Sequence, residues 1–292
     1  ALGKPLVATL SAAVLADAPN FDLGVHLAPI PQDLKVEKPL SLVQRVTLKV
    51  RPLQLDPLLR FVPPAPLQAR SALLDCDLAL TTPAAAGSLS LIGSAGLRGL
   101  TLTHDARRGV KAAELGAAAR AARESVGTPT DLGLKVDLSF GLLSGDLLVK
   151  DLALTINDMS VRGNADARAL FSAPRVQALA LASQGLLLER LLALLPSGML
   201  PAGTTLRGPL NLSASGRGDA ARADLEAAID LGGAVVQTAA FVKPAGTPLS
   251  ATFKGALLQE GNAVRIDRLG LIVGPLSLLL SGTAKPSGDA DL

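Results

Sequence analysis

Residues 131–141 read Asp-Leu-Gly-Leu-Lys-Val-Asp-Leu-Ser-Phe-Gly, so that apolar residues alternate strictly with polar or small ones. Successive side chains of a β-strand point to opposite faces of the sheet, so this stretch predicts a strand with one apolar and one solvated face. The same alternation recurs over residues 206–215 and 224–231 and in shorter runs elsewhere. Parallel strands are usually apolar on both faces, so the pattern favours an antiparallel sheet.

Turn-forming residues separate the alternating runs and predict a meander of hairpins. The Gly-rich run at 93–99, GSAGLRG, is interpreted as a turn between two strands. The alternation changes phase near Lys150 and Asp151, which predicts a β-bulge there. The other predicted turns are Ser144-Gly145, Asn157-Asp158, Ser215-Gly216, Gly232-Gly233, 244–246 and 260–262.

Two short helices are predicted, and they belong to an internal repeat. Residues 43–63 align without gaps on residues 176–196, with eight identities in 21 positions. The first helix is expected over 56–62, because Asp is a good N-cap and Pro57 is tolerated in the first turn. The second is expected over 186–195, where leucines form one stripe. A surface helix is also expected over 106–124. Repeats of one supersecondary unit predict an elongated array.

The composition argues against several classes of function. Of the 292 residues 49% are hydrophobic and 18% are charged, and the chain has six Phe but no Trp or Tyr. The formal net charge is +3, and the Lys and Arg residues are scattered. Nucleic-acid binding usually needs a basic stripe, and single-strand binding also needs stacking aromatic residues, so we expect no nucleic-acid partner.

No pattern of catalytic or metal-binding residues is present in the sequence. The two histidines, His26 and His104, are best interpreted as solvent-facing strand residues. Cys76 lies in an apolar phase between Asp75 and Asp77, so a small buried hydrophobic side chain is expected there. Metal sites need clustered ligands, which this sequence lacks. We therefore expect no enzyme, no metal and no cofactor.

Three stretches resemble the AsmA-like family of Gram-negative envelope proteins. They are LLLERLLALLP at 186–196, LRGPLNLSASGRGD at 206–219 and ADLEAAIDLGGAVV at 223–236. The strand pair at 145–167 is similar to the family as well. The resemblance covers residues 131–292, and residues before 131 resemble the family mainly through the internal repeat.

The resemblance implies a bridge-like lipid-transfer protein built of β-groove repeats. Its expected fold is mainly β: an elongated, twisted antiparallel sheet curled into a groove, with a few short helices. Residues 1–130 would form a first, partial repeat and residues 131–292 a second, continuous one. The chain would be a periplasmic fragment, anchored in the inner membrane by a segment outside it, that carries phospholipid toward the outer membrane and meets unknown envelope proteins.

The apolar phase of the strands gives the candidate lipid-binding residues. Burial stabilises an acyl chain by roughly 0.8 kcal/mol per methylene, so an aliphatic strip can hold a lipid tail without specific contacts. The alternative is a structural or protein-interaction scaffold of β-repeats, whose apolar face is buried as core. The candidates are Leu132, Leu134, Val136, Leu138, Phe140, Leu206, Leu210, Leu212, Leu225, Ile229 and Phe253.

Overall fold

The computed structural model describes residues 4–29, 42–59, 61, 67–82, 87–104, 125–195, 203–239, 241–258, 263–284 and 290–291. Strands make up most of these residues. In chain order they are β1 (Leu6–Ala12), β2 (Phe21–Leu27), β3 (Val43–Gln54), β4 (Leu67–Thr81), β5 (Ser88–His104), β6 (Ser125–Val126), β7 (Thr130–Gly141), β8 (Leu147–Ile156), β9 (Met159–Arg168), β10 (Arg175–Gln184), β11 (Thr205–Arg207), β12 (Asn211–Asp219), β13 (Arg222–Asp230), β14 (Val235–Gln237), β15 (Val242–Lys243), β16 (Leu249–Leu258), β17 (Ala263–Val273), β18 (Leu276–Ala284) and β19 (Ala290–Asp291).

The strands form one large antiparallel sheet and one small sheet. The large sheet has 16 strands in the order β1-β2-β3-β4-β5-β7-β8-β9-β10-β12-β13-β16-β17-β18-β19, with β6 paired to β5. The small sheet has the order β11-β14-β15. The predicted fold class, mainly β and antiparallel, is confirmed. The large sheet does not close on itself, which is consistent with the expected groove.

The strand register places the apolar phases of neighbouring strands on the same side. Leu134 pairs with Ala95 on β5 and with Leu154 on β8, and Leu154 pairs in turn with Val161 on β9. A one-residue slip would turn each strand's apolar set to the other side, so this register is what makes the apolar phases continuous. We call this side the apolar face and the opposite side the polar face.

The predicted bulge near Lys150 is confirmed, because the β8–β9 register shifts between Val149 and Leu152. Two predicted turns are wrong, since 93–99 lies inside β5 and Ser215-Gly216 lies inside β12. Gly93 is needed because a Cβ there would lie 2.1 Å from the Asp77 carbonyl oxygen of the neighbouring strand. A glycine that allows two strands to approach closely resembles a turn glycine when only the sequence is read.

The alternation over 206–215 predicts one continuous strand, and this prediction is wrong. The structure ends β11 at Arg207, places Gly208 at a φ of +100°, and begins β12 at Asn211. Pro209, which has no backbone N–H to donate, lies between the two strands. Leu206 and Leu210 therefore lie outside the strands of the large sheet.

Two short helices lie at the side of the large sheet where β3 and β10 end, which we call the upper rim. Helix α1 spans Asp56–Leu59 and α2 spans Leu188–Ala193, within the two predicted segments. The expected helix at 106–124, and residues 60 and 62 of the first predicted helix, lie outside the described residues. No helix among the described residues is long and apolar enough to cross a membrane.

Both copies of the repeat contain the same pair of hydrogen bonds, which we call the repeat clasp. In the first copy the Leu55 N–H donates to the Ala72 carbonyl oxygen, and the Ala72 N–H donates to the Asp56 carboxylate. In the second copy the Leu188 N–H donates to the Gly208 carbonyl oxygen, and the Gly208 N–H donates to Glu189. Asp56 was expected to be a helix N-cap, but its carboxylate instead ties the helix to β4.

Candidate functional site

The apolar face of the large sheet is open among the described residues. Among the described residues, every pair of elements in extensive contact is either a pair of neighbouring strands or a helix with an adjacent strand. Aliphatic side chains on the face are correspondingly exposed, with Leu134 at 42%, Leu154 at 44% and Leu278 at 51%. Soluble monomers rarely leave a contiguous apolar surface of this extent uncovered, and such surfaces mark binding sites.

Nine of the eleven predicted site residues share this face. The register joins the β7 set to its neighbours through Leu132–Leu97 and Phe140–Leu89, and it joins β12, β13 and β16 through pairs such as Ala227–Phe253. Val136 is only 9% exposed and is therefore part of the sheet's own packing. The nine are Leu132, Leu134, Val136, Leu138, Phe140, Leu212, Leu225, Ile229 and Phe253. Of the other two, Leu206 lies in β11 of the small sheet, and Leu210 lies between β11 and β12.

Glycines in the apolar phase make this face smoother, because neighbouring leucine side chains lie over them. A Cβ added at Gly163 would lie 2.4 Å from a methyl carbon of Leu181, and one at Gly216 would lie 2.9 Å from a methyl carbon of Leu225. The leucine side chains therefore lie across the glycines, where any other residue would displace them. The result is a smooth aliphatic surface that bears no hydrogen-bond donors of its own at these points.

Helix α2 covers the apolar face where it reaches the upper rim. The fully buried Met159 pairs with Ile156 on this face, and the Leu187 N–H points at its Sδ at 3.3 Å. Arg190 forms an ion pair with Asp158 in the β8–β9 turn, and this contact lowers the pKa of the Asp158 carboxyl. The helix thus begins beside the β8–β9 turn, and at its other end the Ala193 carbonyl oxygen accepts a hydrogen bond from the Thr128 N–H, just before β7.

The opposite side of the sheet, where β7 and β9 end, we call the lower rim. Phe171 stands edge-on to Phe140, with ring centroids 5.7 Å apart and an interplanar angle of 87°. Phe171 remains 66% exposed, and Leu143 in the neighbouring turn is 90% exposed. Sequence reasoning missed these two residues, because both lie in turns where no periodic pattern assigns them to a face.

The polar face carries charged side chains, and several of them form cross-strand ion pairs. Lys49 faces Asp77 at 3.3 Å, and Lys135 reaches Asp151 at 2.9 Å. These side chains are largely exposed, so each pair contributes little stability and mainly keeps this face hydrated. Three shallow depressions of about 550, 570 and 500 Å³ are lined mainly by charged and polar residues of this face. Each lining also includes one candidate residue, namely Leu134, Leu225 and Phe253 in turn.

The apolar face carries the thiol of Cys76, the one cysteine of the chain. Cys76 lies on it between Val50 and Ala95, and burial together with Asp77 and Asp75 raises the pKa of its thiol. A thiol kept protonated in this way is a poor nucleophile. No group of three or more His, Cys, Asp or Glu residues able to hold a metal occurs among the residues that the structure describes.

Comparison with protein-family models, curated proteins and solved structures finds no match for this chain. The fold and the face described above define it as an open antiparallel β protein with one uncovered aliphatic surface.

Proposed function

We propose that the chain binds the acyl chains of phospholipids along its apolar face and serves as part of a lipid conduit of the AsmA-like type. The observation that carries the proposal is the continuity of the face: exposed aliphatic side chains follow the register across the large sheet in the part of the chain that the structure describes. On this proposal the chain is a binding protein, not an enzyme, and works in the periplasm between the inner and outer membranes.

Physical chemistry favours a lipid tail as the occupant. Each methylene that leaves water contributes roughly 0.8 kcal/mol, so a tail of ordinary length gains several kcal/mol from an aliphatic strip alone. The apolar face is smooth, because Leu181 and Leu225 lie flat on it. No single position on the face therefore binds the tail much more strongly than the next. A tail can therefore move along the face while it stays bound.

The two rims complete this arrangement around β7 to β10. Helix α2 closes the face at the upper rim, whereas Phe171 and Leu143 extend the apolar surface to the water-exposed turns of the lower rim. A phospholipid could then keep its tails on the face and its head group in water at the lower rim. The charges of the polar face lie on the far side of the sheet and do not contact the tails.

The alternative function is a scaffold whose apolar face is covered by another protein. It uses the same exposed leucines, and it differs in what covers them. Lipid binding is the better-supported proposal, because protein interfaces are enriched in Tyr, Trp and Arg anchors, and this face has neither Tyr nor Trp.

Photo-crosslinking at adjacent residues tests the proposal. A photoreactive residue at Leu134, exposed on the apolar face, should capture phospholipid in cells, and one at Leu154 should do the same. The matched control is Lys135, which is next in sequence but projects from the polar face. Val136 is a poor site for the probe since it is buried.

The outcome separates the two functions. Lipid adducts at Leu134 and Leu154 but not at Lys135, together with phospholipid in native mass spectra of the purified chain, would support the conduit. Protein adducts at Leu134 without lipid would support the scaffold. Equal lipid labelling at Leu134 and Lys135 would mean that the two faces do not differ in the way we propose.

A further inference from the structure

Two adjacent turns of the lower rim expose large apolar side chains. The turn at 142–146 joins β7 to β8, and the turn at 169–174 joins β9 to β10. We call their four large apolar residues the lip. Their exposed fractions are 48% for Leu142, 90% for Leu143, 37% for Leu170 and 66% for Phe171. Exposed apolar clusters of this kind mark contacts with a protein or with a membrane.

Hydrogen bonds between the two turns hold the lip in place. The Leu170 N–H donates to the Gly145 carbonyl oxygen at 3.1 Å, and the Ala169 N–H donates to the Asp146 carboxylate at 3.0 Å. A Cβ at Gly145 would lie only 3.0 Å from the Leu170 nitrogen, so a glycine lets the turns approach this closely. Because the turns are already ordered, the lip would lose little conformational entropy when it binds a partner.

The lip is continuous with the apolar face. Phe171 packs edge-on against Phe140, which is the last apolar-face residue of β7. The turn between β12 and β13 lies on the same rim and consists of Ala220 and Ala221. That turn contributes no large apolar side chain, so the lip distinguishes the rim beside β7 to β10 from the rim beside β12 and β13.

We propose that the lip docks the chain on a phospholipid bilayer, with Leu143 and Phe171 inserted among the acyl chains. Four side chains cannot by themselves supply the roughly 800 Å² per partner that a specific protein–protein interface buries. A bilayer requires no complementary surface, and binding to it increases with the apolar area inserted and with the attraction of basic residues to anionic head groups. The docking holds whether or not the apolar face carries lipid.

The charges beside the lip suit an anionic membrane surface. Arg168 forms ion pairs with Asp146 and Asp166, so its charge is largely compensated. Arg175 directly follows the second turn and is exposed. In the register it lies opposite Arg168 and opposite Asp219, whose carboxylate accepts from two backbone N–H groups of its own turn. The Arg175 guanidinium is therefore placed to contact a lipid phosphate, an anion that arginine binds well.

Docking in this orientation has a consequence for the proposed lipid function. The apolar face would meet the acyl region of the bilayer at Phe140, so tails could pass between bilayer and face without crossing water. This consequence rests on the proposed function, whereas the docking does not.

Vesicle flotation compares the lip with the apolar face. The purified chain is mixed with vesicles of phosphatidylglycerol and phosphatidylcholine, and the bound fraction is measured. The double variant Leu143→Ser, Phe171→Ser should bind about tenfold more weakly, because two exposed apolar side chains no longer insert. The matched double variant Leu134→Ser, Leu154→Ser changes two exposed leucines of the apolar face and should bind like the parent.

The contribution of charge is measured with Arg175→Gln. This variant should bind the same vesicles about fivefold more weakly, since it removes one basic residue near an anionic surface. It should bind vesicles of phosphatidylcholine alone as the parent does.

A fluorescent probe reports the depth of insertion. In a Cys76→Ser background, an environment-sensitive fluorophore on Leu143→Cys should be quenched by lipids that carry a quencher on the acyl chain. The same fluorophore on Ala220→Cys, in the turn between β12 and β13, should stay in water. Both positions are exposed, so neither substitution should disturb the fold.

The outcomes distinguish the docking from the lipid conduit. Equal binding by the parent and the lip variant, a greater loss for the apolar-face variant, or equal quenching at Leu143 and Ala220 would each overturn the docking. Weaker vesicle binding by the lip variant, with phospholipid still present in its native mass spectra, would support both. Insertion of the lip in a parent that carries no phospholipid would support the docking and overturn the conduit.

Discussion

In the first copy of the repeat the Asp56 carboxylate lies 3.4 Å from the Ala72 backbone nitrogen, whereas in the second copy Glu189 lies 2.6 Å from the nitrogen of Gly208. Each clasp joins the residue at the start of the helix, and the acidic side chain that follows it, to the carbonyl and N–H of one later residue. The second clasp has more secondary-structure elements beside it than the first. Helix α1 ends at 59 and β4 begins at 67, while α2 ends at 193 and β12 begins at 211. The longer connection contains β11, which joins β14 and β15 in the small sheet.

Comparing the two copies separates the elements that the repeated sequence itself determines from the contacts that distant residues provide. The identities at offset 133 preserve the strand and the helix, which are local, and the clasp recurs through the aligned acidic residues Asp56 and Glu189. The surroundings depend on partners far along the chain: Met159 and Asp158 contact the second helix, whereas the buried Asn20 bonds Val14 and Pro52 beside the first. We therefore expect the second copy to be the more stable one and the more sensitive to substitution.

The largest difference between the copies should come from Met159. Met159→Ala should lower the free energy of unfolding by about 2–5 kcal/mol, because it removes a fully buried side chain that packs under α2. Leu58→Ala in α1 of the first copy is the control, and it should cost much less since Leu58 is 43% exposed. Denaturant unfolding followed by circular dichroism measures both, and equal losses would contradict the comparison.

A second large effect is expected at Lys243 in the small sheet. This side chain is 2% exposed, and its ammonium donates to the carbonyl oxygens of Gly232, Ala234 and Pro244. Lys243→Met should lower stability by about 1.5–3 kcal/mol, since three carbonyl groups lose a charged donor. Lys254→Met, which removes an exposed lysine from the polar face, should have little effect. If both variants unfold like the parent, the small sheet does not support the second copy.

Equivalent leucines of the two helices provide the third test. Leu191→Asp should destabilise the chain by about 1–3 kcal/mol, because Leu191 is half-buried and a carboxylate there would lose part of its hydration. Leu58→Asp, at the aligned position of α1, should cost less. Thermal unfolding of the two variants under the same conditions makes the comparison, and a larger loss for Leu58→Asp would reverse our ranking of the two copies.

Strand phase was the part of the fold that sequence could predict, because period-two alternation reports local geometry. It assigned the β7 strip, from Leu132 to Phe140, to one face, and the register confirmed this. The errors came from tertiary contacts. Gly93 and Gly216 allow neighbouring strands or side chains to approach, and Gly208 breaks a strand whose alternation continues through it. The positions of Phe171 and α2 at the two rims depend on contacts between turns. An alternating sequence pattern cannot predict such contacts.

Removing the two clasp carboxylates should give a smaller difference of the same sign. Glu189→Ala should lower the free energy of unfolding by about 0.5–1.5 kcal/mol, since it removes the acceptor of the Gly208 N–H. Asp56→Ala should lower it less, because the contact of Asp56 with Ala72 is longer. Glu189→Gln keeps an acceptor oxygen and should retain part of the stability, whereas equal losses for Ala and Gln would mean that a neutral acceptor does not replace the carboxylate.

The smallest expected effect is the pH dependence of the second clasp. The Gly208 N–H holds the pKa of the Glu189 carboxyl below its ordinary value of 4.5. A carboxyl whose pKa is lowered by folding stabilises the folded chain above its unfolded pKa, and that stabilisation is lost as the pH falls through the folded pKa. The clasp should therefore be intact from pH 7 down to about 4.5 and weaken below it.

Other carboxyls respond in the same range, so the parent alone cannot isolate Glu189. The Ala169 N–H lowers the pKa of Asp146, and the Arg190 guanidinium lowers that of Asp158. The informative quantity is the difference in stability between the parent and Glu189→Gln, measured at neutral pH and again well below pH 4.5. That difference should shrink on acidification, because protonation leaves the parent with a neutral acceptor like that of the variant. A difference that stays constant would mean that the charge of Glu189 does not strengthen the clasp.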